Sequence, residues 1–130
     1  MKIFITIYLC FLSYSYAQTN DRVISTQRTR PPKDAKCDIQ ISFGSYGSGT
    51  PHKVEAKIAA LMNETKDISN IKSWAWGKEG EYDYCLDFKS ESSMNKFHEK
   101  LLKIIPKKSK EGYTTLKRKG IETRKTVWPM

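Results

Sequence analysis

The chain has 130 residues, enough for one ordinary domain. Apolar residues make up 38% and charged residues 28%, which excludes both a wholly disordered chain and a multi-span membrane protein. Lys and Arg outnumber Asp and Glu by 23 to 14, a formal charge of +9, so anionic partners head the classes to be weighed.

Met1 and Lys2 open the chain and are followed by an uncharged apolar run from Ile3 to Leu12. Ser15-Tyr16-Ala17 then places small residues where a signal peptidase reads them. This is the pattern of a secretory signal peptide over residues 1–17, cut near Ala17, and it predicts a secreted or periplasmic protein. A buried N-terminal strand or helix is the weaker reading. The run is too short to span a bilayer, so no integral membrane protein is expected. Cys10 lies too early, with the wrong flanks, for a lipid-anchoring cysteine.

Cleavage would leave Cys37 and Cys85. An even pair in an exported chain predicts a disulfide, worth roughly 3–4 kcal/mol by loop entropy. A metal site is not expected, because only His52 and His98 could supplement the two thiols. No cofactor motif appears. Charge is segregated: net +3 over residues 21–36, −2 over 37–102 and +7 over 103–130. Residues 18–36 have no apolar periodicity and read as a flexible basic leader.

Residues 37–106 read as a small α/β domain. Cys37 to Phe43 alternates as a strand with Ile39, Ile41 and Phe43 on one face. The glycine-rich stretch Gly44 to Gly49 is a loop, Thr50 suits an N-cap and Pro51 the first helical position. Val54, Ile58, Leu61 and Met62 form the apolar stripe of the helix that follows. A second strand spans about Ile68 to Trp76, a turn covers Gly77 to Gly80, and a third strand runs from Glu81 to Phe88. Ser90 caps a second helix with Met94, Phe97, Leu101, Ile104 and Ile105 inward, and Pro106 stops it.

The order β-α-β-β-α predicts an α+β fold of the split βαβ, ferredoxin-like type, with one helical layer on an antiparallel sheet. The missing edge strand would come from the basic tail, residues 107–130, through Gly112–Lys119 or Ile121–Trp128. Lys119-Gly120 could equally turn a small hairpin. The disulfide raises a conflict, because Cys37 shares a face with Ile39 and Ile41 whereas Cys85 lies opposite Tyr84 and Leu86. Either a bulge intervenes, or Cys37 precedes the regular strand, or one face is misassigned.

Two candidate sites follow. The four-residue turn sets Trp74 opposite Asp83 and Trp76 opposite Glu81, so both tryptophans point away from the helices as a recognition surface. The competing arrangement has the C-terminal tail covering them, or a shifted turn directing them inward. The tail adds Lys107, Lys108, Lys117, Arg118 and Lys119, a charge suited to an acidic protein, an anionic glycan or a membrane surface. Acidic neighbours of the tryptophans, and the lack of an arginine-aromatic ladder, argue against nucleic acid. The second site is the loop at 44–53, where Gly47, Gly49, Thr50, His52 and Lys53 could hold an anion at a helix start. His98 reads as a solvent-edge residue. No histidine is tied to a nucleophile or acid by a recognisable spacing.

No motif names an activity. The leading expectation is a small secreted or periplasmic binding protein of effector or inhibitor type. The alternatives are a small hydrolase or transferase built on the 44–53 loop and a structural envelope component.

Overall fold

The computed structural model describes residues 25–27 and 36–130. The expected signal peptide, Cys10 and most of the basic leader lie outside the described residues. In chain order the elements are β1 (Ser25–Gln27), β2 (Ile39–Gly44), α1 (His52–Glu64), β3 (Ile68–Ala75), β4 (Tyr82–Phe88), α2 (Glu91–Ile104), β5 (Tyr113–Arg118) and β6 (Ile121–Lys125). They form one sheet in the order β1-β3-β4-β2-β5-β6. β1, which falls within the segment read as leader, runs parallel to β3, and all other neighbouring pairs are antiparallel.

The four central strands and two helices form the split βαβ arrangement. β4 fills the gap between β3 and β2, and β5 supplies the missing edge partner of β2. β6 then pairs with β5 across Lys119-Gly120, so the small hairpin is the form the tail takes. Lys119 and Gly120 both have positive φ, at 50° and 81°, as a tight two-residue reversal demands.

Alternation decides what each face carries. Ile39, Ile41 and Phe43 stand opposite Leu86, Tyr84 and Tyr82, and all face the helices. A bulge between Ile68 and Asn70 lets Ile68 and Ile71, three residues apart, both point inward. Ile58, Leu61 and Met62 from α1, and Met94, Phe97 and Leu101 from α2, complete this core. Ser90 caps α2 by accepting from the Ser93 N–H at 3.2 Å. α1 begins one residue later than the sequence predicts: Pro51 occupies the cap position without a side-chain cap bond, and Thr50 is buried.

The disulfide joins Cys37 to Cys85 with Cα atoms 5.3 Å apart. Its face conflict is resolved because Cys37 precedes β2. The chain bends at Asp38, whose Oδ2 accepts the Phe88 N–H at 2.9 Å and whose carbonyl accepts the Lys119 N–H. The bend carries Cys37 across to the helix-free face, where Cys85 lies. Asp38 also pairs with the Lys119 ammonium. Partial burial would raise its pKa, but Lys119 and the Phe88 N–H outweigh it and hold the carboxyl below its ordinary value.

His98 is not at the solvent edge. It is 5% exposed, and its Nε2 lies 2.7 Å from Thr123 Oγ1 on β6. The β5–β6 hairpin closes over it, a cover that the helix alone does not reveal. Burial first, then the Arg118 charge, lower its pKa from the ordinary 6.5.

Two outcomes are expected. Replacing both Cys37 and Cys85 with Ala should lower the unfolding free energy by roughly 3–4 kcal/mol in denaturant titrations. The His98 ring protons should titrate below 6.5 by NMR. Because the unfolded chain then binds the proton more readily, stability is full above the unfolded-state value and declines as pH falls through the folded-state value. Denaturant midpoints measured at successive pH values should follow that course.

Candidate functional site

With both helices on one side, the opposite face of the sheet must cover itself. Its β3 edge is dry. Trp74 is only 5% exposed and packs in one buried cluster with Cys37 and Cys85. The ring points away from the helices, as expected, but it is a core residue and not a docking surface.

The middle of this face is held by Asp83, which is 0% exposed. Its Oδ1 accepts the Trp76 indole N–H at 2.8 Å and its Oδ2 accepts the Gln40 amide N–H at 3.0 Å. Three strands thus converge on one carboxylate: Trp76 follows β3, Asp83 belongs to β4 and Gln40 to β2. A buried carboxylate is tolerated only when hydrogen-bonded, and here the bonds orient the two side chains that floor a cleft.

That cleft has a volume of about 510 Å³. Trp76, Gln40, Ser42, Thr115 and Lys117 line it from the sheet, and Lys125 lines it from β6. One end is an aromatic wall. The Tyr46 ring centroid lies 5.2 Å from that of Tyr113 and 5.1 Å from that of Trp128, the latter edge-on at 87°. Trp128 remains 50% exposed. Gly44 is what admits Tyr113, since a Cβ there would lie 2.1 Å from the ring's Cζ. The C-terminal segment is anchored behind the wall: Thr126 is buried, its hydroxyl donates to the Pro106 carbonyl at 2.7 Å, and the Val127 N–H donates to Lys107 O.

The basic residues separate by role. Arg118 turns toward α2 and donates to Asn95 Oδ1 at 3.4 Å, and Lys119 is paired with Asp38. Arg124 donates to the carbonyls of Leu102 and Ile105. These cations fasten the hairpin to the body and are not presented to a partner. Lys107 and Lys108 are exposed but do not line the cleft. Lys117 and Lys125 do line it, and among the described residues neither side chain makes an ion pair or hydrogen bond. Glu122, opposite Lys117, is the acid of the same wall.

The glycine loop carries its own anion. Gly47 and Gly49 have positive φ, and both amides donate to Ser45 Oγ, at 2.9 and 3.0 Å. Glu79 from the β3–β4 turn accepts from Ser45 Oγ at 2.7 Å and from the Gly49 N–H at 3.3 Å. Of the donors expected to hold an external anion, the Gly49 amide is therefore engaged by a carboxylate distant in sequence and the Gly47 amide by the Ser45 hydroxyl. His52 lies 3.0 Å from Glu55 Oε2, but its side chain is 83% exposed. Neither His52 nor Lys53 lines the cleft. Burial, then the nearby Tyr84 hydroxyl and Glu55 charge, push the Tyr82 hydroxyl far above its ordinary pKa, so it stays protonated.

Of the predicted site residues, the cleft collects Trp76 and Lys117. Sequence reasoning missed Gln40, Tyr46 and Lys125 as parts of it, and Asp83 as the buried group that holds two of its lining side chains. The alternation Tyr113, Thr115, Lys117 was the available signal, because it puts all three on the face opposite Leu116.

Asp83→Asn should be tolerated, since its oxygen can accept from Trp76 while Gln40 flips to accept from its amide. Asp83→Ala should cost about 1–3 kcal/mol by leaving two half-buried donors unmet and a cavity behind. Denaturant unfolding of the two variants, followed by tryptophan fluorescence, checks the difference.

No helix among the described residues is long and apolar enough to cross a membrane. No family model, curated protein or solved structure matches this chain, so its function is argued from the cleft itself.

Proposed function

We propose that this chain is an exported binding protein that takes an anionic ligand in the cleft on the helix-free face of its sheet. The observation that carries the reading is the pair Lys117 and Lys125. They are diagonal neighbours on paired strands, with Lys125 opposite Thr115, so two long side chains can reach one acid group. The remaining cations of the hairpin are tied to the body of the fold, whereas these two face the cleft beside Trp76. Two ammonium groups set side by side on one face, with no ion pair or hydrogen bond among the described residues, repel one another and favour an anion that enters.

Export is supported by the apolar N-terminal run and by the disulfide, which persists in an oxidising compartment. Acidic proteins, anionic glycans and lipid headgroups can each supply the negative charge. Binding to the cleft differs from attraction to a basic surface in one respect: it depends on which lysines are removed.

Mature protein should be retained on a dextran sulfate resin, with elution salt falling sharply for Lys117→Ala/Lys125→Ala and little for Lys107→Ala/Lys108→Ala. Both variants lose two charges. Equal losses for the two would assign the attraction to generic surface charge and contradict the proposal.

A further inference from the structure

We infer that the occupant of this cleft is an acidic oligosaccharide, a short uronate-containing chain, bound with one pyranose ring against the aromatic wall and its carboxylate between Lys117 and Lys125. The inference rests on the binding reading above and gives it a ligand class.

The lining is divided in a way that fits such a molecule. Trp76 follows the C-terminal end of β3, and Tyr113 opens β5 opposite Gly44, so both belong to the same end of the sheet. Tyr46 and Trp128 extend the aromatic surface outward from that end. Lys125 and Lys117 lie one and two residue pairs further along the face, opposite Thr115 and Gln40 respectively. A ligand filling the cleft therefore meets flat aromatic surface at one end and positive charge at the other. The C–H edges of a pyranose carry partial positive charge and suit the negative face of an aromatic ring. A uronate places a carboxylate on the same ring system, beyond the stacked face.

Between the two ends, the floor offers side-chain hydrogen-bonding groups: the Ser42 and Thr115 hydroxyls and the Gln40 amide. Gln40 is held by Asp83, so its remaining amide valences point from a fixed position. Sugar hydroxyls both donate and accept, and they match this set. A peptide in extended form is a poorer fit. It gains its affinity from unpaired backbone groups at a sheet edge, whereas the cleft floor lies on β2 and β5, each of which is paired with a strand on both sides. A bilayer surface is also a poorer fit, because both lysines line a concavity, which a flat headgroup layer does not fill. The volume of about 510 Å³ lies within the usual span of small-ligand sites, roughly 300–1,000 Å³.

The experiment is a titration of mature protein, followed by calorimetry and by tryptophan fluorescence. The probes are uronate oligosaccharides prepared from pectin, alginate and hyaluronan, neutral oligosaccharides of matched length, poly-glutamate, and vesicles containing phosphatidylglycerol. At least one uronate should bind and perturb the fluorescence, with its neutral counterpart at least tenfold weaker. Lys117→Ala/Lys125→Ala should weaken binding tenfold or more, and so should Trp128→Ala, a half-exposed ring whose removal leaves the core intact. Circular dichroism establishes that each variant is folded.

If poly-glutamate or the vesicles bind in a manner lost with Lys117 and Lys125 while no uronate does, the glycan assignment is overturned and the anion-binding cleft stands. If a neutral sugar binds as tightly as its uronate, the role given to the lysines is overturned. If no anionic probe responds to loss of the two lysines, the cleft reading falls with the glycan.

Discussion

A sheet that carries helices on one side only must dispose of its second face. In this chain that constraint organises everything outside the main core. Alternation along β2 and β4 delivers Ile39, Ile41, Phe43 and Leu86 to the helices and, by the same step, delivers Gln40, Ser42, Asp83 and Cys85 to the other side. The second face is closed in three zones. The disulfide and Trp74 form a small dry cluster, Asp83 gathers the polar groups of the middle strands, and the tail brings an aromatic wall to the far end. What is left between them is the cleft.

Cationic charge is divided along the same lines. A hairpin as basic as β5–β6 would be a weak structural element if its charges only repelled one another. Arg124 instead satisfies carbonyls at the C-terminal end of α2, where a positive group is also favoured by the helix dipole. Arg118 reaches a side chain of the same helix, and Lys119 locks the turn to Asp38 at the entrance of β2. Asp38 thereby joins three events: the bend that lets Cys37 change faces, the capping of the Phe88 amide, and the docking of the hairpin. Lys117 and Lys125 stand apart because alternation turns them toward the cleft.

Much of the architecture is legible in short-range pattern. The strict alternation of residues 39–43 and 82–88 and the stripes of the two helices suffice for element order, and element order restricts the topology. The pairing of Trp74 with Asp83 follows from the turn length alone. The parts that were not legible depend on residues far apart in the chain. Nothing near Gly49 announces that Glu79 will accept from its amide, so the loop resembles an anion site. Nothing on α2 announces that Thr123 will meet His98. The turn length also directs Trp74 and Trp76 to one face without distinguishing them. The disulfide buries the first, and the hydrogen bond to Asp83 lays the second across the cleft floor. The apparent clash of faces at Cys37 was a sound reading of periodicity, and its resolution lies in the bend at a single residue, Asp38.

The most direct measurement is a heteronuclear NMR titration of the isotopically labelled mature protein with a uronate oligosaccharide. The account predicts shifts at the indole N–H groups of Trp76 and Trp128 and at the amides of Gln40, Thr115, Lys117 and Lys125, with the indole of Trp74 unmoved. Shifts centred instead on Gly47, Gly49 and His52, or confined to Lys107 and Lys108, would contradict it.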